Sequence, residues 1–135
     1  MKNRTFIIAI LLIGSYVFFS MSTLKSNYQD SWDVPAKYQN MENPYASDAD
    51  AENIGKTLYS KHCKSCHGNT GEGDGPKAEG LDTTVPDITS GDFKKQTDGA
   101  IYYKTVFGRD DMPNFEDKIP DEQDRWLIVN YIKSL

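Results

Sequence analysis

The hydrophobic pattern divides this chain of 135 residues into stretches of different kinds. Residues 5–19, TFIIAILLIGSYVFF, carry no charge and follow a short basic start with Lys2 and Arg4. Over residues 22–47 periodicity is lost: Pro35 and Pro44 lie among scattered aromatics, Tyr28, Trp32, Tyr38 and Tyr45. Ala51, Ile54 and Leu58 then recur at helical spacing, which predicts a helix running from about residue 48 into the sequence near Cys63, with Ser47 or Asp48 as its cap. Residues 68–91 are rich in Gly, Asp, Thr and Pro without a period, and predict a long loop. A loop of that length in a small domain usually has a function. Thr97 or Asp98 is placed to cap a short helix over 99–107, which Gly108 can end in left-handed geometry. Asp121, after Pro120, caps a last helix whose apolar face is Trp126, Ile128, Val129, Tyr131, Ile132 and Leu135, with Asp124 in its first turn.

Three segments follow from this pattern. Residues 1–24 read as a secretory signal peptide or an N-terminal membrane anchor. The apolar run is short for a membrane span of about 20 residues, and only Ser20-Met21-Ser22 stands where small residues at a cleavage site would be. Either way the rest of the chain is expected to be exported, to a periplasm, and tied to the inner membrane if the segment is kept, with Lys2 and Arg4 on the cytoplasmic side. Residues 25–47 read as an extended tether, docked in part on the domain or on a partner. Residues 48–135 read as one small domain, too small to bury much apolar surface without a staple. Nothing in the sequence repeats.

The formal net charge of −5 offers nothing to a phosphate backbone, and no nucleic-acid partner is expected. Within 48–135, 17 acidic residues face 11 basic ones. That excess serves solubility, and it also suits docking on a basic or mixed surface. Lys64 and Arg109 are placed to form a local positive rim.

Candidate chemistry is concentrated in Cys63-Lys64-Ser65-Cys66-His67, which holds both cysteines and one of the two histidines. C-x-x-C-H is the attachment sequence of c-type haem. Residues three apart share a helix face, so two thiols there can form thioethers with the two vinyl groups on one haem edge, and the next residue reaches the iron as proximal ligand. Other chemistries fit less well. A thioredoxin-like pair needs a βαβ context, and none is visible. Structural zinc wants four ligands, usually from separated pairs, and His62, Cys63, Cys66 and His67 are crowded into six residues. A disulfide between Cys63 and Cys66 would close a very small loop and stabilise little.

For the opposite face of the iron, His62 abuts Cys63 on the proximal side. Met1 and Met21 belong to the export segment and Met41 to the tether. Met112 lies between Asp111 and Pro113 in a loop, a poor place for core filler, with Gly108 before it to let the backbone turn. Met112 is therefore the favoured distal ligand.

In these elements the chain resembles the class I, mitochondrial-type monohaem cytochromes c, and is identified with their exported bacterial members. Gly55-x3-Tyr59-x3-Cys63-x2-Cys66-His67 resembles the first helix and haem motif of that family, Ile128-x2-Tyr131 its last helix, and Gly108-x3-Met112-Pro113 its methionine loop. The resemblance implies an all-α cytochrome c fold, three to four helices and long loops wrapped around one covalently attached haem c. It implies that Gly55 lets the first helix cross the last closely. It also implies a proline whose carbonyl accepts a hydrogen bond from the haem histidine. Pro86 is placed for this role, with Pro76 as runner-up. The iron would be bound by His67 and Met112. The implied function is one-electron transfer between redox partner proteins of a respiratory chain, with no substrate chemistry and no enzyme activity. Histidine and thioether ligation raises the potential, because soft sulfur favours ferrous iron. Tyr59, Tyr103, Phe115 and Trp126 are candidates for the pocket wall. Two alternatives stand beside the free carrier: an obligate haem subunit of a membrane oxidoreductase, and an open-site haem enzyme, for which the sequence shows no spare histidine.

Overall fold

The computed structural model describes residues 32–135, and the leader expected over 1–24 lies outside them. Among the described residues there are six α-helices and no strands. They are α1 (Ala36–Gln39), α2 (Ala51–His62), α3 (Lys64–His67), α4 (Gly91–Lys94), α5 (Asp98–Phe107) and α6 (Glu122–Ser134), with a 3-10 turn at Ala78–Gly80. None of them is long and apolar enough to cross a membrane. This is the all-α architecture expected, with three longer helices and connecting loops.

The helix ends show which polar side chains do the capping. Thr97 accepts a hydrogen bond from the Ala100 amide at the start of α5. Asp121 accepts from the amides of Gln123 and Asp124 at the start of α6. Each satisfies amides that a helix N-terminus leaves without intrahelical partners. At α2 the expected caps are not used. The helix begins after Asp50, without a side-chain cap, and the Asp48 carboxylate accepts instead from the Asp50 amide in the turn before it. Gly108 ends α5 at φ 64° and ψ 177°, which is positive-φ backbone but not the left-handed helical cap expected. At the far end of α6, the Lys94 ammonium donates to the carbonyls of Ile132 and Lys133, at 3.2 and 2.8 Å. It satisfies acceptors that a helix C-terminus leaves open. The sequence reading held no helix at Gly91–Lys94. Ser90 caps it, accepting from the Phe93 amide.

The core is built from Tyr59, Ile101, Val106, Trp126, Ile128 and Val129, each with about 1% exposure or less, and from Phe115 and Ile119 in the connection before α6. Trp126 stacks on Tyr102 with ring centroids 4.1 Å apart. Within it α2 crosses α6 at Gly55. A Cβ on Gly55 would stand 2.2 Å from the Leu127 carbonyl oxygen and 2.9 Å from Cβ of Tyr131. Only a residue without a side chain permits that approach. One turn further on, the rings of Tyr59 and Tyr131 meet at 5.3 Å.

Asp33–Leu135 form one compact unit. The stretch 33–47, read from sequence as extended, is folded onto α5 and α6. Val34 is buried, and Tyr38, Met41 and Tyr45 pack against the core. The Tyr38 ring lies 4.8 Å from Tyr103 and 5.5 Å from Phe107. Asn130 of α6 donates to the Tyr45 carbonyl at 2.7 Å and accepts from the Asn43 amide group at 2.6 Å. A four-residue helix introduced by Pro35 is too short to leave a period in the sequence, which is why α1 was not legible.

Replacing Gly55 by Val drives methyl groups into the backbone of α6, an overpacking cost of about 1–3 kcal/mol. Thermal unfolding of the holoprotein should show Tm lowered by roughly 4–8 °C for each kcal/mol. An unchanged Tm would mean that the helices do not cross at this residue.

Candidate haem attachment site

The sequence folds the cysteine motif into a separate turn. Cys63 closes α2, donating its amide to the Tyr59 carbonyl at 2.8 Å, and its backbone then departs from helical geometry at φ −113°. The Cys63 carbonyl accepts from the amides of both Cys66 and His67, at 3.1 and 3.0 Å, and α3 begins there. The two thiols are thus three residues apart on one turn, and they are not joined in a disulfide. Cys63 is buried and Cys66 half-buried. Burial first, and the neighbouring Cys66 second, push the Cys63 thiol up to about 12.

His67 ends the turn. Burial lowers its pKa, which favours the neutral imidazole, the form that binds metals. Its Nδ1 and the Nε1 of Trp126 are buried without a hydrogen-bond partner among the described residues. Behind the turn, the phenol of Tyr59 donates to the Gly68 carbonyl at 2.9 Å, and burial raises its pKa.

The long loop answers the motif amide by carbonyl. Gly73 donates to His67, Gly75 to Cys66 and Lys77 to Ser65, at 3.0, 3.1 and 2.9 Å. A Cβ on Gly75 would lie 2.6 Å from the Cys66 carbonyl, so the loop is seated directly on the turn. Pro76 falls inside this seat. Pro86 lies one layer further out, its carbonyl 3.3 Å from where a Cβ on Gly73 would stand. Both prolines are exposed, and neither carbonyl accepts from His67 Nδ1.

Met112 lies in a turn defined by hydrogen bonds in both directions. The Arg109 amide donates to the Met112 carbonyl, and the Met112 amide donates to the Arg109 carbonyl, each at 2.9 Å. Gly108 makes the turn possible. At φ 64° it occupies backbone that side chains avoid, and a Cβ there would stand 2.2 Å from the Met112 carbonyl oxygen. Asp110 takes φ 53°, a position Asp tolerates better than most residues. Phe115 closes the segment, donating its amide to the Val106 carbonyl at 2.8 Å, and its buried ring meets His62 at 5.8 Å. Next to Met112, Asp111 accepts from both the amide and the hydroxyl of Thr83, each at 2.8 Å. These hydrogen bonds hold its carboxyl below the ordinary carboxylate range. Nothing in the sequence marked Thr83.

Of the four candidate wall residues, Tyr59, Phe115 and Trp126 are buried, whereas Tyr103 turns to the 33–47 segment and meets Tyr38. Arg109 pairs with the adjacent Asp110 at 3.1 Å, and Lys64 is exposed.

The donors fit a covalently held haem. Two unpaired thiols and an imidazole share one turn, and the imidazole has a buried nitrogen with no acceptor. Among the described residues, no group of three His, Cys, Asp or Glu side chains could hold a metal ion, which leaves the zinc reading without support.

A family model, that of cytochrome c, matches residues 51–135. This is more than half of the chain, and it starts at the first residue of α2. The chain belongs to the cytochrome c family. No curated protein matches it. The cytochrome c family binds c-type haem covalently, with its iron, and its function is haem-based electron transfer. Cys63 and Cys66 fit its attachment motif.

Acid–acetone treatment of the purified protein should leave the haem with the polypeptide, because thioethers survive it. Extraction into the organic phase would overturn covalent attachment through Cys63 and Cys66.

Proposed function

We propose that this cytochrome c is a one-electron carrier of a respiratory chain, with iron held between His67 and Met112. The turn of 109–112 carries this reading. It is fixed by reciprocal hydrogen bonds and by a glycine that no other residue can replace, and it presents a thioether where core filling has no use for one. The bound group supplies a one-electron couple at iron. The residues of the chain do the rest. His67 offers a neutral imidazole, whose Nδ1 is buried without a hydrogen-bond partner among the described residues. Met112 offers soft sulfur, which favours the reduced state. The pocket wall excludes water through Tyr59, Phe115 and Trp126. No substrate is bound and no proton is moved.

The setting proposed is the periplasm, with the leader directing export and redox proteins as partners. A second reading, a fixed haem subunit of a membrane oxidoreductase, draws support from the 33–47 segment. Because that segment is docked, only residues 25–32 separate the domain from a retained anchor. Eight residues span at most about 28 Å. Such a leash suits a fixed partner better than a roaming one. An open-site enzyme has no such support.

Met112→Ala should open the iron to exogenous ligands. It should abolish the weak near-infrared band of ferric methionine ligation and lower the reduction potential by a sizeable part of the roughly 0.8 V that axial ligands span. A band that persists unchanged would identify another ligand.

Electron exchange with the natural partner should slow as ionic strength rises if the protein is a free shuttle, because redox encounters are small and charge acts on the association rate. Stopped-flow reduction across a salt series reads this directly, and a flat profile would favour the fixed subunit.

A further inference from the structure

We propose that Asp111 is a positioning residue for the methionine ligand, a clasp that closes the 109–112 turn onto the long loop through Thr83. The inference rests on Met112 being the distal ligand.

The turn of 109–112 is stiff inside but carried on two stalks. Its internal hydrogen bonds fix the shape of the turn, not its place. Gly108 on one side, at φ 64°, has no side chain to pack against the rest of the domain and so adds nothing to hold the turn in place. A swing would withdraw Met112 with the turn intact. Asp111 opposes this. One carboxylate oxygen accepts two hydrogen bonds from a residue 28 positions away, the Thr83 amide and the Thr83 hydroxyl, both at 2.8 Å. Hydrogen bonds to an ionised acceptor are stronger than neutral ones.

Thr83 can act as an anchor because its own segment is braced. Two residues on, the Val85 carbonyl lies against Gly73, 2.5 Å from where a Cβ would stand. The Ile88 amide donates to the Gly71 carbonyl at 2.9 Å. Gly73 in turn donates to the carbonyl of His67. The contacts form one line: His67, Gly73, Val85, Thr83, Asp111, Met112. The long loop therefore fastens the segments of both axial ligands to each other, and Asp111 is its last link on the methionine side.

The turn should open more often when this link is cut. The test uses the oxidised full-length holoprotein with imidazole as the probe. At saturating imidazole the binding rate is limited by the departure of Met112. Asp111→Ala, which removes the acceptor for both hydrogen bonds, should raise that limiting rate about tenfold, the factor that about 1.4 kcal/mol supplies. Thr83→Val keeps the amide and loses the hydroxyl, and should give a smaller rise, about threefold. Thr83→Ser should restore the wild-type rate. The double variant Asp111→Ala/Thr83→Val should match Asp111→Ala alone, since the hydroxyl has nothing left to bind.

Met112→Ala separates the two claims. It should bind imidazole rapidly and without saturation, and adding Asp111→Ala to it should change nothing. If Met112→Ala binds imidazole as the wild type does, the ligand assignment fails and the clasp fails with it. If Met112→Ala is fast while Asp111→Ala and Thr83→Val keep the wild-type limiting rate, the ligand assignment stands and the clasp alone is overturned. If Asp111→Ala speeds binding equally in the Met112→Ala background, its effect is general loosening of the pocket, and the clasp is again overturned.

Discussion

The approach of α2 to α6 at Gly55 is the contact on which the site depends. The Leu127 carbonyl occupies the space a side chain would take, so the two helices can meet at one place and in one register. Cys63 lies eight residues further along, about 12 Å at the rise of an α-helix. Its position in the core is therefore fixed by a crossing two turns away. Tyr59 stands between the two and serves both: its ring meets Tyr131 of α6, and its hydroxyl holds the Gly68 carbonyl just beyond the motif. One helix face thus transmits the packing of the core to the residues that carry the chemistry.

The opposite side of the motif is held by backbone alone. The amides of Gly73, Gly75 and Lys77 take up the carbonyls of His67, Cys66 and Ser65, acceptors that a helix as short as α3 leaves without partners. This explains why a long loop in so small a domain is not slack. Its alternating glycines let the chain lie on the turn without side chains in between, and its polar residues stay in water. The loop then continues to Thr83 and Asp111, so the same segment that seats the histidine reaches the methionine turn.

How much of this was legible in the sequence depended on whether a residue acts through its neighbours or across space. Thr97 and Asp121 cap amides two or three residues on, and their helices could be read directly. Tyr59 and Tyr131 were legible as members of helical stretches, whereas Gly55 was legible through the resemblance of Gly55-x3-Tyr59 to the first helix of the family. Asp48 misled: its carboxylate has an amide two residues away to satisfy, which competes with capping the helix proper. Tyr103 falls in the helix that carries much of the core, yet it faces the 33–47 segment, and a segment without periodicity gives no warning that it will cover a helix. The resemblance favoured Pro86 over Pro76, yet neither carbonyl accepts from His67 Nδ1, and carbonyls carry no sequence signal that would have told this. Thr83 was invisible for the same reason in reverse. Its partner lies 28 residues away, and nothing local distinguishes it from Thr84.

The physical demands of electron transfer give this arrangement its sense. A carrier that keeps both ligands through oxidation and reduction changes little in geometry, and whatever would let a ligand leave must be opposed by the fold. On the ligation proposed, the Met112 thioether is a neutral, soft donor with no charge to hold it on ferric iron, so the methionine side would need bracing more than the histidine side. His67 is backed by a helix and a three-amide seat. On the methionine side the backbone has only a two-residue turn to offer, and side chains must supply the remainder. Asp111 is suited to that task because it is on the surface. Its charge stays hydrated, so it does not carry the desolvation cost of a buried ion, and it adds to the acidic surface without placing a charge in the pocket. On that reading the bracing is divided: the packing of Cys63 and backbone pairs hold the half-buried histidine turn, and a solvated carboxylate closes the loop on the methionine side.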